Sequence, residues 1–228
     1  MKIVKVLLAP SLELAKEVVN TENVVATVEA EYGDTCIEGT KYTLAHHGSR
    51  SHNPAPCNTK VNPISEGTIL ISHMDLDTVG GVLALMNKKP ENKEFWDAAE
   101  YIDINGSHHI CEFDLTIQKQ LNAALAYQAE VEQEEIMDIK DVTEDILNWG
   151  NVLEPVLNTE HPKHNELLEK GEEWVKSVQE EIESKLITET DYVRVFKTDG
   201  ISCHAAYYSP NLLKDCPATV VLNTKNAQ

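Results

Sequence analysis

The stretch that decides the fold is "ILISHMDLDTVGG", residues 69–81. Together with Thr68, it opens as a short apolar run of the kind that forms a strand buried on both faces. The run ends at His73, Asp75 and Asp77, three groups with ligand chemistry spaced two residues apart. "TVGGVLALMNKK" then reads as a helix opening after Asp77. A strand, a polar junction and a helix in that order are the unit of α/β proteins, whose sites form beyond the carboxyl ends of strands.

Working outward, "IVKVLLA" (3–9) reads as a first strand, and "SLELAKEVVN" reads as a helix capped by Ser11. "VVATVEAEYGD" reads as a second strand with a turn at Gly33–Asp34, and "CIEGTKYTLAHH" as a third. Residues 48–67 form a long Gly, Pro, Asn and Ser-rich loop. "NKEFWDAAE" reads as helix and "YIDI" (101–104) as a strand ending near Asp103. From 115 to about 186 the pattern is helical, broken at Pro155 and Pro162, with a long last helix in "KHNELLEKGEEWVKSVQEEIESKL". "DYVRVF", "ISCHAAYY" and "ATVVLNT" are terminal strand candidates. The expected fold is α/β: a mainly parallel sheet flanked by helices, a helical middle region and a small C-terminal β element. The expected organisation is an α/β domain over 1–162, a connecting helix over 163–187 and a β-rich element over 188–228.

The bulk numbers narrow the function. The chain has 228 residues, 19 basic and 38 acidic, for a formal net charge of −19. Such a chain repels long nucleic acid unless a basic groove intervenes, and no dense Lys/Arg cluster is present, so duplex nucleic acid is not an expected partner. No apolar run approaches the roughly 20 residues that cross a bilayer, and the N-terminal segment reads as a strand, not a signal peptide. A cytoplasmic protein without membrane association is expected. The five cysteines show no CxxC pairing and are expected as free thiols. Nothing in the sequence specifies an oligomeric state.

Four segments bring donors to strand ends: "LAHHGS", "ISHMDLD", "YIDING" and "GSHH". If those strands are neighbours, His46, His47, His73, Asp75, Asp77, Asp103, His108 and His109 lie along one rim. Mixed carboxylate and imidazole ligands suit Mn, Zn or Fe better than Ca or Mg. Clustered carboxylates repel one another unless cations neutralise them. Paired metals about 3.5–4 Å apart activate water for in-line displacement at phosphorus. The expected metal ligands are His73, Asp75, Asp77, Asp103 and His108; His108, His109 and His47 are expected to move protons in catalysis. His46, Arg50 and His204 are expected substrate contacts. Gly80 and Gly81 have two readings: close packing of the helix, or backbone approach to an anion. Trp96, Trp149 and Trp174 read as packing residues.

"ILISHMDLDTVGGVLAL" resembles the first motif of the DHH phosphoesterase superfamily, and "YIDINGSHH" resembles a merged form of its later motifs. The resemblance implies a two-manganese phosphohydrolase with His73, Asp75 and Asp77 at one end of the site, Asp103 bridging, and His108 or His109 matching the paired histidines. The chain departs from the pattern in having "SHH" where an Asp-His-His triplet would stand, Thr78 in place of glycine, and no terminal GGH motif. The reading that follows is a phosphoesterase acting through metal-activated water on a small phosphorylated substrate, such as a nucleotide or short oligonucleotide. The alternatives are a nucleotide-binding protein that has lost hydrolysis and a metallo-β-lactamase-like hydrolase, which "SHMDLDTVGG" and "AHHGS" also resemble.

Overall fold

The computed structural model describes residues 4–131, 136–198 and 218–223. Its centre is a five-stranded sheet built from β1 (Val4–Leu8), β2 (Val24–Val28), β5 (Tyr42–Leu44), β6 (Gly67–Ile71) and β7 (Lys140–Asp141). Two short strands, β3 (Glu31–Tyr32) and β4 (Thr35–Cys36), form an antiparallel hairpin after β2. The sheet order is β5-β2-β6-β1-β7; all neighbours are parallel except the edge strand β7. The expected fold class is the observed one.

The sheet separates two cores. Successive strand residues point to opposite faces, so Val6, Leu8, Ile69 and Ile71 face one core while Leu7, Ala9 and Leu70 face the other. On the smaller side lies α1 (Leu12–Thr21), which buries Ala15 and Val18 and is capped by Ser11, whose Oγ accepts from the Leu14 amide. On the larger side α2 (Leu76–Leu85), α3 (Lys93–Asn105), α4 (Leu115–Val131) and α5 (Thr143–Leu157) close over the sheet. Helix α6 (His164–Ser184) packs against α4 and α5, where Ala123, Val156 and Leu168 meet.

Two local expectations are corrected. "YIDI" is not a strand but the last turn of α3: Phe95, Ala98, Ala99 and Ile102 are buried at helical spacing, and Gly106, at φ +100°, ends the helix. Pro155 does not break α5 but sits inside it, in its last turn. There the nearby carbonyls need outside partners, and His164 Nδ1–H donates to the Pro155 carbonyl at 3.0 Å.

After α6, a separate three-stranded sheet contains β8 (Leu186–Glu189), β9 (Val193–Thr198) and β10 (Ala218–Asn223), in the order β10-β9-β8. β8 and β9 are antiparallel, whereas β9 and β10 are parallel. The expected strand "ISCHAAYY", with Cys203 and His204, lies outside the described residues. Among the described residues, no helix is long and apolar enough to cross a membrane.

Candidate metal centre

Three neighbouring strands end level with one another. Val28 of β2 is in register with both Leu44 of β5 and Ile71 of β6. The residues just beyond, Glu29, Ala45–His46 and Ser72–His73, therefore emerge side by side at the carboxyl rim. The rim is tied together: the Glu29 amide donates to Leu44 O at 2.8 Å, and Ser72 Oγ donates to the Glu29 carbonyl. Glu29 has φ +49°, a left-handed conformation that is uncommon for a residue with a side chain. Such conformations persist where the surroundings over-determine them, and they concentrate at functional sites.

The next donors come from helices. Asp75 is the N-cap of α2, its Oδ1 accepting from the Thr78 amide at 3.1 Å. That fixes the first turn and turns Asp77 inward, where its side chain is 2% exposed. Asp103 reaches the same place from the last turn of α3. His46 lies among them: its Nε2 is 3.1 Å from Asp103 Oδ2, 3.4 Å from Asp77 Oδ2 and 3.7 Å from Glu29 Oε1. His47, the next residue, stacks obliquely on the His46 ring and places Nε2 2.8 Å from Glu29 Oε2.

The contacts around His46 are close, but they are not aligned hydrogen bonds. Both Glu29 carboxylate oxygens, His46 Nε2, Asp77 Oδ2 and Asp103 Oδ2 are buried atoms without a geometrically sound partner. Buried polar atoms are almost always satisfied, and several unsatisfied ones gathered around one imidazole call for an ion. The spacing agrees. Donors held about 2.1 Å from one first-row cation and 90–110° apart lie roughly 3.0–3.4 Å from each other. The two groups of ligand atoms that converge, Glu29–His46–His47 and His46–Asp77–Asp103, share His46. The residues therefore fit a divalent metal, and the mixture of oxygen and imidazole nitrogen fits Mn, Fe or Zn.

The electrostatics carry the same strain. Burial pushes the Glu29 carboxyl up to about 8. Burial and the adjacent Asp75 charge hold Asp77 well above the carboxylate range. Burial works against the charged form of His46, but the Asp103 and Asp77 carboxylates and Glu29 outweigh it and raise the group to about 10. His73 is raised to about 9, burial being outweighed by Asp75. Asp75 is held well below the carboxylate range, because the His73 charge and the hydrogen bonds it accepts outweigh burial. Without a cation the cluster thus keeps protons that free side chains would release.

The sequence-predicted residues fall into three sets. Asp77, Asp103 and His46 converge. His46, expected to touch substrate, is only 3% exposed and sits where a ligand would. His73 and Asp75 lie beside the cluster but bond to each other, Nε2 to Oδ2 at 2.9 Å. His47 is half-exposed at the rim on Glu29. Arg50 pairs with Glu38 at 3.7 Å. His109 pairs with Glu112 at 2.8 Å and packs edge-on against Tyr101. The side chain of His108, and all of His204, lie outside the described residues. Glu29 was not among the expected ligands, although "VVATVE" shows the same signal as the others, an apolar strand ending in an acid. Gly80 and Gly81 serve packing: a Cβ on Gly80 would lie 2.6 Å from Cys57 Cβ and 2.7 Å from Trp96 Cζ3, and one on Gly81 2.7 Å from Pro56 Cβ.

No protein-family model, curated protein or solved structure matches the chain.

Proposed function

We propose that this protein is a divalent-metal-dependent phosphohydrolase acting on a small phosphorylated molecule such as a nucleotide or short oligonucleotide. The observation that carries the reading is the set of buried, unpartnered donor atoms of His46, Asp77 and Asp103 that lie within reach of one ion at the carboxyl rim of a parallel sheet, with the Glu29 carboxylate beside them. A bound cation such as manganese would supply Lewis acidity toward a phosphoryl oxygen and toward water. The chain's own residues have separate tasks. His46, Asp77 and Asp103 would hold the cation, with Glu29 and His47 beside them, and the rigid sheet and two helix ends fix their spacing. His47, 52% exposed, and His73, 44% exposed, are the imidazoles that reach solvent beside it. His73, kept charged by Asp75 and bonded through both ring nitrogens, offers positive charge to phosphoryl oxygens.

Membership of the DHH superfamily is part of this proposal. Residues 69–81 keep the strand-to-helix form that the resemblance requires, while 101–104 reach the site as helix.

The test is turnover of a panel of phosphomonoesters, phosphodiesters and nucleotides with added Mn²⁺. The expected result is metal-dependent product, abolished by chelator and reduced to background in Asp77→Asn. Absence of turnover across the panel, or full turnover in a folded Asp77→Asn protein, would contradict the proposal.

A further inference from the structure

A cation held by His46, Asp77 and Asp103 leaves one carboxylate without a partner. Glu29 Oε1 is 3.7 Å from His46 Nε2, and no group of donors within reach of one ion joins Glu29 to Asp77 and Asp103. Yet the Glu29 side chain is fully buried, and neither of its oxygens has a hydrogen-bond partner. A carboxylate in that state is costly unless a cation meets it.

The donors that do lie within reach of Glu29 are the two imidazoles that follow β5. Glu29, His46 and His47 converge as a set of their own. His47 Nε2 is 2.8 Å from Glu29 Oε2, yet that oxygen receives no aligned hydrogen bond from it. Two such atoms brought together without a proton aligned between them are placed as ligands of one ion are. Ligands of one first-row cation lie roughly 3.0–3.4 Å apart, and the half-exposed His47 ring borders the solvent into which it would shift to reach that spacing.

The two sets differ in chemistry. His46, Asp77 and Asp103 offer one nitrogen and two oxygens below the surface, a donor set that suits manganese. Glu29, His46 and His47 offer two nitrogens and one oxygen, and the set is open to solvent on the His47 side. Two imidazoles and one carboxylate with an open position form a donor set of catalytic zinc. The same nitrogen serves both sets, because His46 Nε2 faces Glu29, Asp77 and Asp103 alike. One nitrogen lone pair ligates one ion.

Resting on the metal-dependent reading above, we infer that Glu29, His46 and His47 form a second, zinc-preferring seat at the rim, and that it and the buried seat are filled alternatively because both need His46. Zinc at the rim withdraws His46 from manganese. Nitrogen and oxygen ligands bind Zn²⁺ more tightly than Mn²⁺, so zinc displaces manganese and suppresses the turnover that depends on it.

The experiment titrates Zn²⁺ and Mn²⁺ separately, by calorimetry, into the full chain stripped with chelator. Wild type, His47→Ala and Asp103→Asn are compared, each first checked for native circular dichroism. His47→Ala should weaken Zn²⁺ binding by at least the roughly 10–100-fold that loss of a partner behind a ligand costs, and leave Mn²⁺ affinity unchanged. Asp103→Asn should do the reverse. Zn²⁺ added to manganese-loaded wild type should release the manganese, leaving one equivalent of metal after gel filtration. Unchanged Zn²⁺ affinity in His47→Ala, or zinc and manganese retained together, would overturn the alternative seats and leave the buried centre standing. Weakening of both ions by both variants would mean a single seat and overturn the inference as well. Failure of wild type to bind Mn²⁺, with zinc still lost in His47→Ala, would remove the manganese reading and support the rim seat. Binding of neither ion would overturn both.

Discussion

Gly80→Ala is the substitution whose consequence follows most directly from the packing. Gly80 lies in the middle of α2, where alanine would ordinarily gain up to about 1 kcal/mol of helix propensity. Here the added methyl meets Cys57 Cβ at 2.6 Å, Trp96 Cζ3 at 2.7 Å and Cys57 Cα at 3.2 Å. Cys57 is fully buried and Trp96 is 2% exposed, so neither has space to retreat. Ordinary contact needs roughly 0.7 Å more on both sides, and overpacking of this kind costs about 1–3 kcal/mol. With two rigid neighbours the upper half of that range applies, and after the propensity gain about 1–2 kcal/mol of net destabilisation is left. For a chain of this size that lowers Tm by roughly 2–8 °C. The displacement has a second effect, because α2 carries Asp77 and its cap Asp75. Moving the helix away from Cys57 misplaces Asp77 relative to His46, so affinity for Mn²⁺ should fall along with Tm. Thermal melts in chelator and calorimetry with Mn²⁺ measure the two effects separately. If Gly80 instead served backbone approach to an anion, Ala would leave Tm of the ligand-free protein level or raise it, and that result would refute the packing argument.

The remaining predictions concern the site and the core. Glu29, His46 and His73 all have raised values in the fold, so the unfolded chain releases their protons first and stability of the metal-free protein falls as pH rises. The windows run from 4.5 to about 8 for Glu29, from 6.5 to about 10 for His46 and from 6.5 to about 9 for His73. Melts in chelator should show Tm declining from about pH 6 to about pH 9, with Mn²⁺ raising Tm more at the alkaline end; a flat profile would count against the buried cluster. His46→Ala should abolish Mn²⁺ binding, since its ring belongs to both groups of converging donors; unchanged affinity would count against the cluster as a metal centre. Trp149→Ala should cost about 3–5 kcal/mol in urea unfolding, because the ring is fully buried and packs edge-on to Tyr127 at 4.8 Å; a loss under 1 kcal/mol would mean that the α5 core is misread.

The parts legible in the sequence were those with a local signal. The apolar strand 69–71, the cap of α1 and the donors after β6 follow from neighbouring residues alone. Asp103 was legible as a donor but not in its setting. "YIDI" alternates like a strand, yet the buried spacing of Phe95, Ala98, Ala99 and Ile102 carries the helical period through it. Glu29 was hidden because "VVATVEAEYGD" continues beyond it as though the strand did not end. The left-handed turn at Glu29 divides that segment into β2 and β3, and no glycine marks it. The roles of His46 and His47 were beyond sequence reasoning for another reason. Which ring enters the cluster and which stays at the rim depends on β5 lying beside β2 rather than β6, and that order is set by pairing between separate segments, Val28 with both Leu44 and Ile71.

The central claim is that His46, Asp77 and Asp103 hold a cation. Its most direct test is a crystal of the full chain grown with Mn²⁺ and measured at the manganese absorption edge. The expected result is an anomalous peak about 2.1 Å from His46 Nε2, Asp77 Oδ2 and Asp103 Oδ2. A peak elsewhere, or native density with these three side chains intact and no anomalous signal among them at saturating Mn²⁺, would contradict it.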